Sequence, residues 1–137
     1  MATTFTVTIT TPEQEMWSGE AELVIARSPE GEFGIMNGHI PFLASLVPGR
    51  VTVAAANDRQ SFVVPGGFLE ASGSPEGGYH VYVLADDAEP IGESVDLADA
   101  QRRARELEER RIAEEDIDQE AEARLRAAMA GTQLGRG

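Results

Sequence analysis

The sequence of 137 residues contains no cysteine, and all 11 of its basic side chains are arginine because lysine is also absent. The lack of cysteine excludes disulfides and thiolate metal sites. The lack of lysine excludes the P-loop lysine, Schiff-base chemistry and lysine general bases. No run approaches the roughly 18 apolar residues of a membrane-spanning helix, and the N-terminus carries no signal-peptide pattern. We therefore expect a soluble protein that stays in the cytoplasm, with no direct membrane insertion.

Acidic residues dominate the chain, which has a formal net charge of −13. Up to Pro90 there are 12 acidic and 3 basic residues, and from Ile91 onward there are 12 acidic and 8 basic residues. A surface of this sign repels nucleic acid and anionic lipid, so neither is expected as a direct partner. The hydrophobic fraction of 42% is ordinary for a globular protein. The length predicts one domain, or one domain with a small appendage.

Short apolar segments separated by turn residues fill the first two thirds of the chain. Phe5, Val7 and Ile9 alternate with threonines, which is the period of a strand with one buried face. We predict strands over residues 4–10, 14–18, 20–27, 43–47, 51–56, 59–64, 68–72 and 79–85, with turns at 18–19, 28–31, 48–49, 57–58 and 65–67 and a flexible loop over 73–78. This spacing favours an antiparallel β-sandwich or barrel. The last strand is apolar at nearly every position and should lie in the middle of the sheet structure.

The segment from Glu30 to Phe42 specifies its backbone more tightly than any other. Gly34 suits a close backbone approach or a bulge, Asn37-Gly38 is a strong signal for a turn, and Pro41 keeps the preceding residues extended. We predict a shaped surface loop. Its apolar residues are either an exposed interface or part of the core, and the sequence leaves both possibilities open: Phe33, Ile35, Met36 and Ile40.

The composition changes over residues 89–92 to alanine, glutamate and arginine, so we divide the chain into a β domain, 1–90, and a helical region, 91–137, with a disordered end. Ser94 or Asp96 can cap the first helix, and Gly131 is the expected stop. Two apolar seams have helical spacing: Leu97, Ala100, Ala104 and Leu107, then Ile117, Ala121, Leu125 and Ala128. The pattern breaks between them without glycine or proline. A helical hairpin is predicted, with one long helix as the alternative.

The helical region is small, and its seams are half alanine. A unit of roughly 40 residues is at the lower limit for independent folding, and alanine buries little apolar area. The region therefore needs another surface, on the β domain or on a partner. We expect a weakly docked, movable arm.

Candidate catalytic groups are few. His39 and His80 are the only histidines, and a metal site would have to combine them with Glu32 or Asp86. Single histidines in separate regions without ligand spacing instead favour a loop-ordering hydrogen bond and a strand position. No nucleophile elbow or Cys/His pair is present in the sequence, so we expect neither catalysis nor a bound cofactor or metal.

Three segments, in order, resemble the epsilon subunit of F-type rotary ATP synthases. The segment Glu30–Phe42 is similar to that family's Gly-(aromatic or Leu)-Gly-Ile-x-x-Gly-His-x-Pro loop, with Asn37 where proline is frequent. The runs Pro65–Glu70 and Val81–Glu89 and the Ala/Glu/Arg tail also fit. The resemblance implies an N-terminal antiparallel sandwich of about ten short strands, followed by a two-helix hairpin.

The resemblance further implies a non-catalytic rotor subunit of the central stalk, peripheral to the cytoplasmic face of the cell membrane. Its sandwich would bind the gamma subunit and the ring of c-subunits, and its helices would reach the alpha/beta catalytic head and inhibit ATP hydrolysis. The implied contacts with the c-ring or stalk are Glu32, Phe33, Ile35, Met36, Asn37, Gly38, His39 and Ile40. The implied regulatory residues are Asp96, Arg102, Arg103, Arg105, Arg124 and Arg126. For any single arginine, however, we favour a solvated face with i,i+4 ion pairs.

Some members of that family bind ATP through an Ile-Asp-x-x-Arg-Ala motif. The corresponding run here is Val95–Ala100, in which Asp99 replaces the arginine and so repels phosphate. We predict weak or absent ATP binding. Two other classes of protein stay open, a stand-alone small-molecule or nucleotide sensor and a small β-fold enzyme built around the two histidines.

Overall fold

A computed structural model describes residues 4–38, 41–74, 78–92 and 94–134 of the chain. These residues form ten strands followed by one helix. Their bounds are β1 Phe5–Thr10, β2 Glu15–Ala21, β3 Leu23–Ser28, β4 Gly31–Met36, β5 Phe42–Leu46, β6 Gly49–Ala55, β7 Asp58–Val64, β8 Gly67–Ser74, β9 Gly78–Ala85, β10 Glu89–Ile91 and α1 Leu97–Leu134.

The strands form two five-stranded sheets, and the predicted β-sandwich is confirmed. Sheet A has the order β2-β1-β9-β8-β5, and sheet B has the order β10-β7-β6-β3-β4. The described pairs are antiparallel except for β1 and β9, which run parallel. Sheet A is thus mixed rather than purely antiparallel, because the first strand inserts between β2 and the last long strand.

Alternating residues of both sheets fill the core between them. Val7 and Ile9 of β1 are fully buried, as the threonine alternation predicts, and so are Val81 and Val83 of β9. Burial of such side chains stabilises the fold by roughly 1.5–3 kcal/mol each. The position of β9 in the middle of its sheet is confirmed.

Two turn predictions are wrong, each for an identifiable reason. Ser18-Gly19 lies inside β2 rather than in a turn, because Ser18 pairs with Thr8 and Gly19 with Val7 of β1. The turn between β6 and β7 is formed by residues 56–57 rather than 57–58. Ala56 takes a left-handed φ of 47° there, a conformation that local sequence preference does not favour for alanine.

The first three turns of α1 pack against the outer face of sheet B. Ala100, Ala104 and Leu107 are buried with Val63 of β7, and Ile91 and Val95 close the cluster at its margin. The first predicted seam is therefore a real packing surface, apart from Leu97, which is 40% exposed. Asp96 is the cap, because its carboxylate accepts a hydrogen bond from the backbone N–H of Asp99 at 2.8 Å.

The helical region is one continuous helix, and the two-helix hairpin is not seen. Helix α1 runs through the charged break between the seams and through Gly131, so the predicted stop there is wrong. The break consists of glutamate and aspartate, which do not interrupt a helix as proline does. The chain divides into two compact units, one ending at Leu107 and the other beginning at Glu108. The expected disordered end falls beyond Leu134, outside the described residues.

Within the described chain, no helix combines the length and the apolar character needed to cross a membrane.

Candidate interaction surfaces

One edge of the sandwich is formed by β4 of sheet B and β5 of sheet A. Much of the segment predicted as a loop is therefore strand β4, which pairs with β3 along its whole length. The sequence did not predict this strand because its glycines lower the local strand propensity. The hydrogen bonds to β3 stabilise it instead. Phe33 and Phe42 meet edge-to-face across the two sheets, with ring centroids 5.3 Å apart.

The apolar residues of this edge divide between core and surface. Ile35 is 1% exposed and belongs to the core, and Phe33 packs against the same core while half-buried. Met36 is 65% exposed. Of the predicted contact residues, Met36 offers an exposed apolar side chain, whereas that of Ile35 is inaccessible.

The far end of β4 carries the turn that the sequence predicts. Asn37 and Gly38 form it, with Gly38 at φ 88°. They line a cavity together with residues of β1, β2 and β9, among them Thr6, Glu20 and Tyr79. The predicted contacts His39 and Ile40 lie outside the described residues.

The predicted contacts do not form one cluster. Glu32 is exposed near the beginning of β4, and four residues of extended chain, roughly 13 Å, separate it from Met36. Glu32 instead lines a second cavity on the outer face of sheet B, together with two arginines. The edge therefore presents two chemically different ends, one acidic and one apolar.

The outer face of sheet A carries an apolar patch that sequence analysis missed. We call this the sheet A patch: Leu43, Phe68, Tyr82 and Leu84, which are 69%, 53%, 39% and 48% exposed. Phe68 pairs directly with Leu84, and Leu43 and Tyr82 flank Glu70 in the next row. The signal in the sequence is the pairing of outward positions on neighbouring strands, which becomes readable only when the register is known.

The arginines proposed as regulatory lie on the surface of α1 and mostly pair along the helix. Arg102 binds Asp99 and also Glu106, at 2.9 Å, and Arg103 lies 3.6 Å from Asp99. The hydrogen bond from Arg102 lowers the pKa of Asp99, against a smaller desolvation effect in the other direction. The same contact raises the pKa of Arg102.

Beyond the first seam, α1 presents both charge pairs and exposed apolar residues. Two ion pairs join residues four apart on this part of the helix, Glu120–Arg124, at 3.9 Å, and Glu122–Arg126. Ile117 and Leu125, from the second seam, are 64% and 61% exposed. Exposed ion pairs of this kind contribute at most about 1 kcal/mol each. Arg124 and Arg126 can therefore exchange these partners for others.

The described residues include no group of three or more His, Cys, Asp or Glu side chains arranged to hold a metal ion. His80 is a strand residue, as predicted, and stacks on Tyr82 with ring centroids 3.8 Å apart. Its ring nitrogen lies 3.2 Å from the hydroxyl of Thr8. The imidazole is thus engaged in strand-to-strand contacts on the outer face of sheet A.

Residues 4–91 match the family described as ATP synthase, Delta/Epsilon chain, beta-sandwich domain. The ATP synthase epsilon chain of Streptomyces avermitilis is 40% identical over 134 residues, which cover 95% of this chain and 99% of that protein. The epsilon chain of Thermobifida fusca is 37% identical, over 90% of this chain and 91% of its own length.

A solved structure gives the same fold. It is a chain in the cryo-EM structure of the Euglena gracilis mitochondrial ATP synthase, OSCP/F1/c-ring, with a TM-score of 0.59 and 25% sequence identity. The match covers 80% of this chain and 64% of that chain. The likeness to relatives thus reaches past the sandwich into the helical region.

Proposed function

Because the chain belongs to the delta/epsilon chain family of ATP synthases, we propose that it is a non-catalytic rotor subunit of the central stalk of an F-type ATP synthase. In this role it couples proton-driven rotation of the c-ring to ATP synthesis in the alpha/beta catalytic head. It would sit at the cytoplasmic face of the membrane as a peripheral part of the complex. The match to epsilon chains over 95% of the sequence carries the proposal.

The gamma subunit is the partner we assign to the sheet A patch. A rotor contact that transmits torque must persist through every turn, and permanent interfaces are more apolar than transient ones. Leu43 and Phe68 are among the exposed large apolar side chains of an otherwise acidic domain. Aromatic anchors such as Phe68 and Tyr82 are typical of residues that dominate binding energy.

The c-ring is the partner we assign to the edge formed by β4 and β5. Glu32 is exposed on that edge and keeps its carboxylate available for polar contacts. Met36, Asn37 and Gly38 extend the proposed contact surface to the far end of β4, together with Phe33 at the margin. Ile35 supports the strand from the core rather than touching the ring.

The region 91–137 is proposed to be the regulatory arm, with 1–90 as the domain that binds stalk and c-ring. In one state the second seam would fold back to make the two-helix hairpin, and in the other the arm would extend as a single helix toward the catalytic head. The exposure of Ile117 and Leu125 supports a surface that is covered in only one state. Arg105, Arg124 and Arg126 suit acidic surfaces of the head.

Two charged substitutions test the assignment of partners. We expect Phe68→Glu to abolish co-purification with the gamma subunit and Glu32→Arg to weaken association with the c-ring while gamma is retained. Both side chains are exposed, so each variant should keep its free energy of unfolding within about 0.5 kcal/mol. Glu13→Arg, the same charge reversal in the exposed turn before β2, is the control and should change neither contact. Retention of both partners by both test variants would contradict the assignment.

A calorimetric titration tests the predicted lack of ATP binding by the helical region. Asp99 is held by Arg102 and Arg103, so its carboxylate stays ionised and repels phosphate. We expect the wild-type chain to bind ATP weakly or not at all, and Asp99→Arg to bind it more tightly. Micromolar affinity in the wild type that survives the Asp99→Arg change unaltered would show that this residue does not govern nucleotide binding.

A further inference from the structure

The outer face of sheet B holds a cavity of about 350 Å³, and Glu32 is the one lining residue that the proposed function also uses. It is lined by Ile25, Glu32, Arg50, Thr52, Arg59 and Ser61. These residues come from four adjacent strands, β3, β4, β6 and β7, so a rigid ladder positions them.

The register of the sheet sets the geometry of this cavity. Ile25, Thr52 and Ser61 lie side by side across three strands and make its floor. Arg50 precedes Thr52 by two residues, and Arg59 precedes Ser61 by two. Because β6 and β7 are antiparallel, the two guanidinium groups flank the floor from opposite sides.

The floor and walls supply hydrogen-bond donors. The hydroxyls of Thr52 and Ser61 lie 3.0 Å apart, so one donates to the other and the second hydroxyl keeps its own proton for a ligand. Arg50 donates one N–H to the carbonyl of Val95 at 3.1 Å. The other N–H groups of its guanidinium can donate to a ligand. Arg59 is exposed, and among the described residues no ion pair or hydrogen bond holds its side chain.

The charge at this place opposes that of the domain around it. The first 90 residues contain three arginines against 12 acidic residues, and two of the three arginines meet here. A purely structural role explains the single bond from Arg50 to the segment before α1. It does not explain why Arg59 and a hydroxyl pair face the same cavity.

We propose that this cavity binds a phosphate group, either free hydrogen phosphate or the monophosphate of a nucleotide. Arg50, Arg59 and the hydroxyl pair donate to its charged oxygens, and charge-assisted bonds of this kind are the strong ones. Glu32, the one acid in the lining, accepts a hydrogen bond from the O–H of hydrogen phosphate. Sulfate has no such proton, so Glu32 repels it and the site prefers phosphate.

The test uses the full chain without partners, so it stands apart from any assay of the assembled synthase. Inorganic phosphate, sulfate and AMP are titrated separately into the protein, and NMR follows the chemical shifts of the backbone amides of Thr52 and Ser61. We expect saturable shifts with phosphate and weaker ones with sulfate. The variant Arg59→Gln should lower phosphate affinity at least about tenfold, the loss expected for one charge-assisted hydrogen bond.

The control is Arg105→Gln, which removes an exposed arginine of α1 that does not line the cavity. It should leave phosphate affinity unchanged. Glu32→Gln should reduce the difference between the affinities of the site for phosphate and for sulfate. The variant should stay folded, because Glu32 is exposed on the edge strand. Tighter binding of AMP than of phosphate would assign the site to nucleotides, and the reverse would assign it to the free anion. The proposal is overturned if millimolar phosphate gives no saturable shift, or if Arg59→Gln and Arg105→Gln reduce phosphate affinity equally.

Discussion

At the scale of single residues, two glycines set how closely β8 approaches β9. A Cβ on Gly67 would lie 2.2 Å from the carbonyl oxygen of Leu84, and one on Gly73 would lie 2.1 Å from that of Gly78. Both residues have positive φ, 138° and 132°. The obstructing atoms are backbone atoms, which cannot move aside as a flexible side chain does. These glycines hold the two ends of the ladder that carries Phe68 and Tyr82 of the sheet A patch.

We predict that Gly67→Ala lowers the free energy of unfolding by about 3 kcal/mol or more, since it combines an unfavourable φ with a backbone clash. Gly31→Ala is the matched control, because Gly31 has a φ of 125° but no atom within 4 Å of the added Cβ. The control should lose less, about 1–3 kcal/mol, because only the unfavourable φ acts there. Urea denaturation of both variants measures the difference, and equal losses would show that the close approach of the two strands is not the cause.

Asp99 provides a prediction about pH. Its hydrogen bond from Arg102 lowers its pKa, so the pair stabilises the first turn of α1 above the ordinary carboxyl pKa and stops doing so as the pH falls through the lowered value. Following the carboxyl carbon of Asp99 by NMR, we expect Arg102→Gln to raise its pKa toward the ordinary value. Arg105→Gln, an exposed change one turn away, should leave it unaltered. An unchanged pKa in Arg102→Gln would exclude the pairing in solution.

At the scale of elements, α1 is held unequally along its length. Leu107 is 2% exposed, whereas Leu125 on the same helix is 61% exposed. We predict that Leu107→Ala lowers the free energy of unfolding by about 2–3 kcal/mol and that Leu125→Ala changes it by less than about 0.5 kcal/mol. Thermal or urea unfolding compares the two variants, and equal effects would show that the buried seam does not stabilise the fold.

Amide hydrogen exchange tests the movable arm directly. Residues 100–107 lie in the buried seam, and residues 112–129 carry exposed apolar side chains. We expect the second group to exchange at least about tenfold faster than the first in the isolated chain, because little buried area opposes its local opening. Protection of the whole helix equal to that of β1 and β9 would refute the idea of a weakly docked arm.

Much of the element order follows from local sequence, and the misses have physical causes. The alternation of β1, the Asn37-Gly38 turn and the Asp96 cap are each encoded by neighbouring residues. Strand β4 was not predicted because its glycines lower the local strand propensity, while its pairing with β3 stabilises the strand. The sheet A patch was not predicted because large apolar residues such as Phe68 and Leu84 usually lie in the core. Only the register of β8 and β9 shows that both face outward. The hairpin was predicted because charged residues interrupt the apolar seam. Such residues do not end a helix, and α1 continues through them.

At the scale of the whole molecule, the chain divides into two compact units. The sandwich with the beginning of α1 forms a compact unit up to Leu107, and the remaining residues form the second. We propose that the first unit transmits torque through the sheet A patch and the β4–β5 edge, and that the second restrains ATP hydrolysis. Removing the chain after Leu107 therefore separates the two roles while preserving the buried seam.

The most direct measurement is ATP hydrolysis together with ATP-driven proton pumping by synthase membranes that lack their own epsilon chain and are reconstituted with the full chain or with residues 1–107. We predict that both forms restore pumping and that the shorter form hydrolyses ATP faster, because the coupling surface remains and the part of the arm after Leu107 is gone. Failure of residues 1–107 to restore pumping, or equal hydrolysis rates with the two forms, would contradict this division of roles.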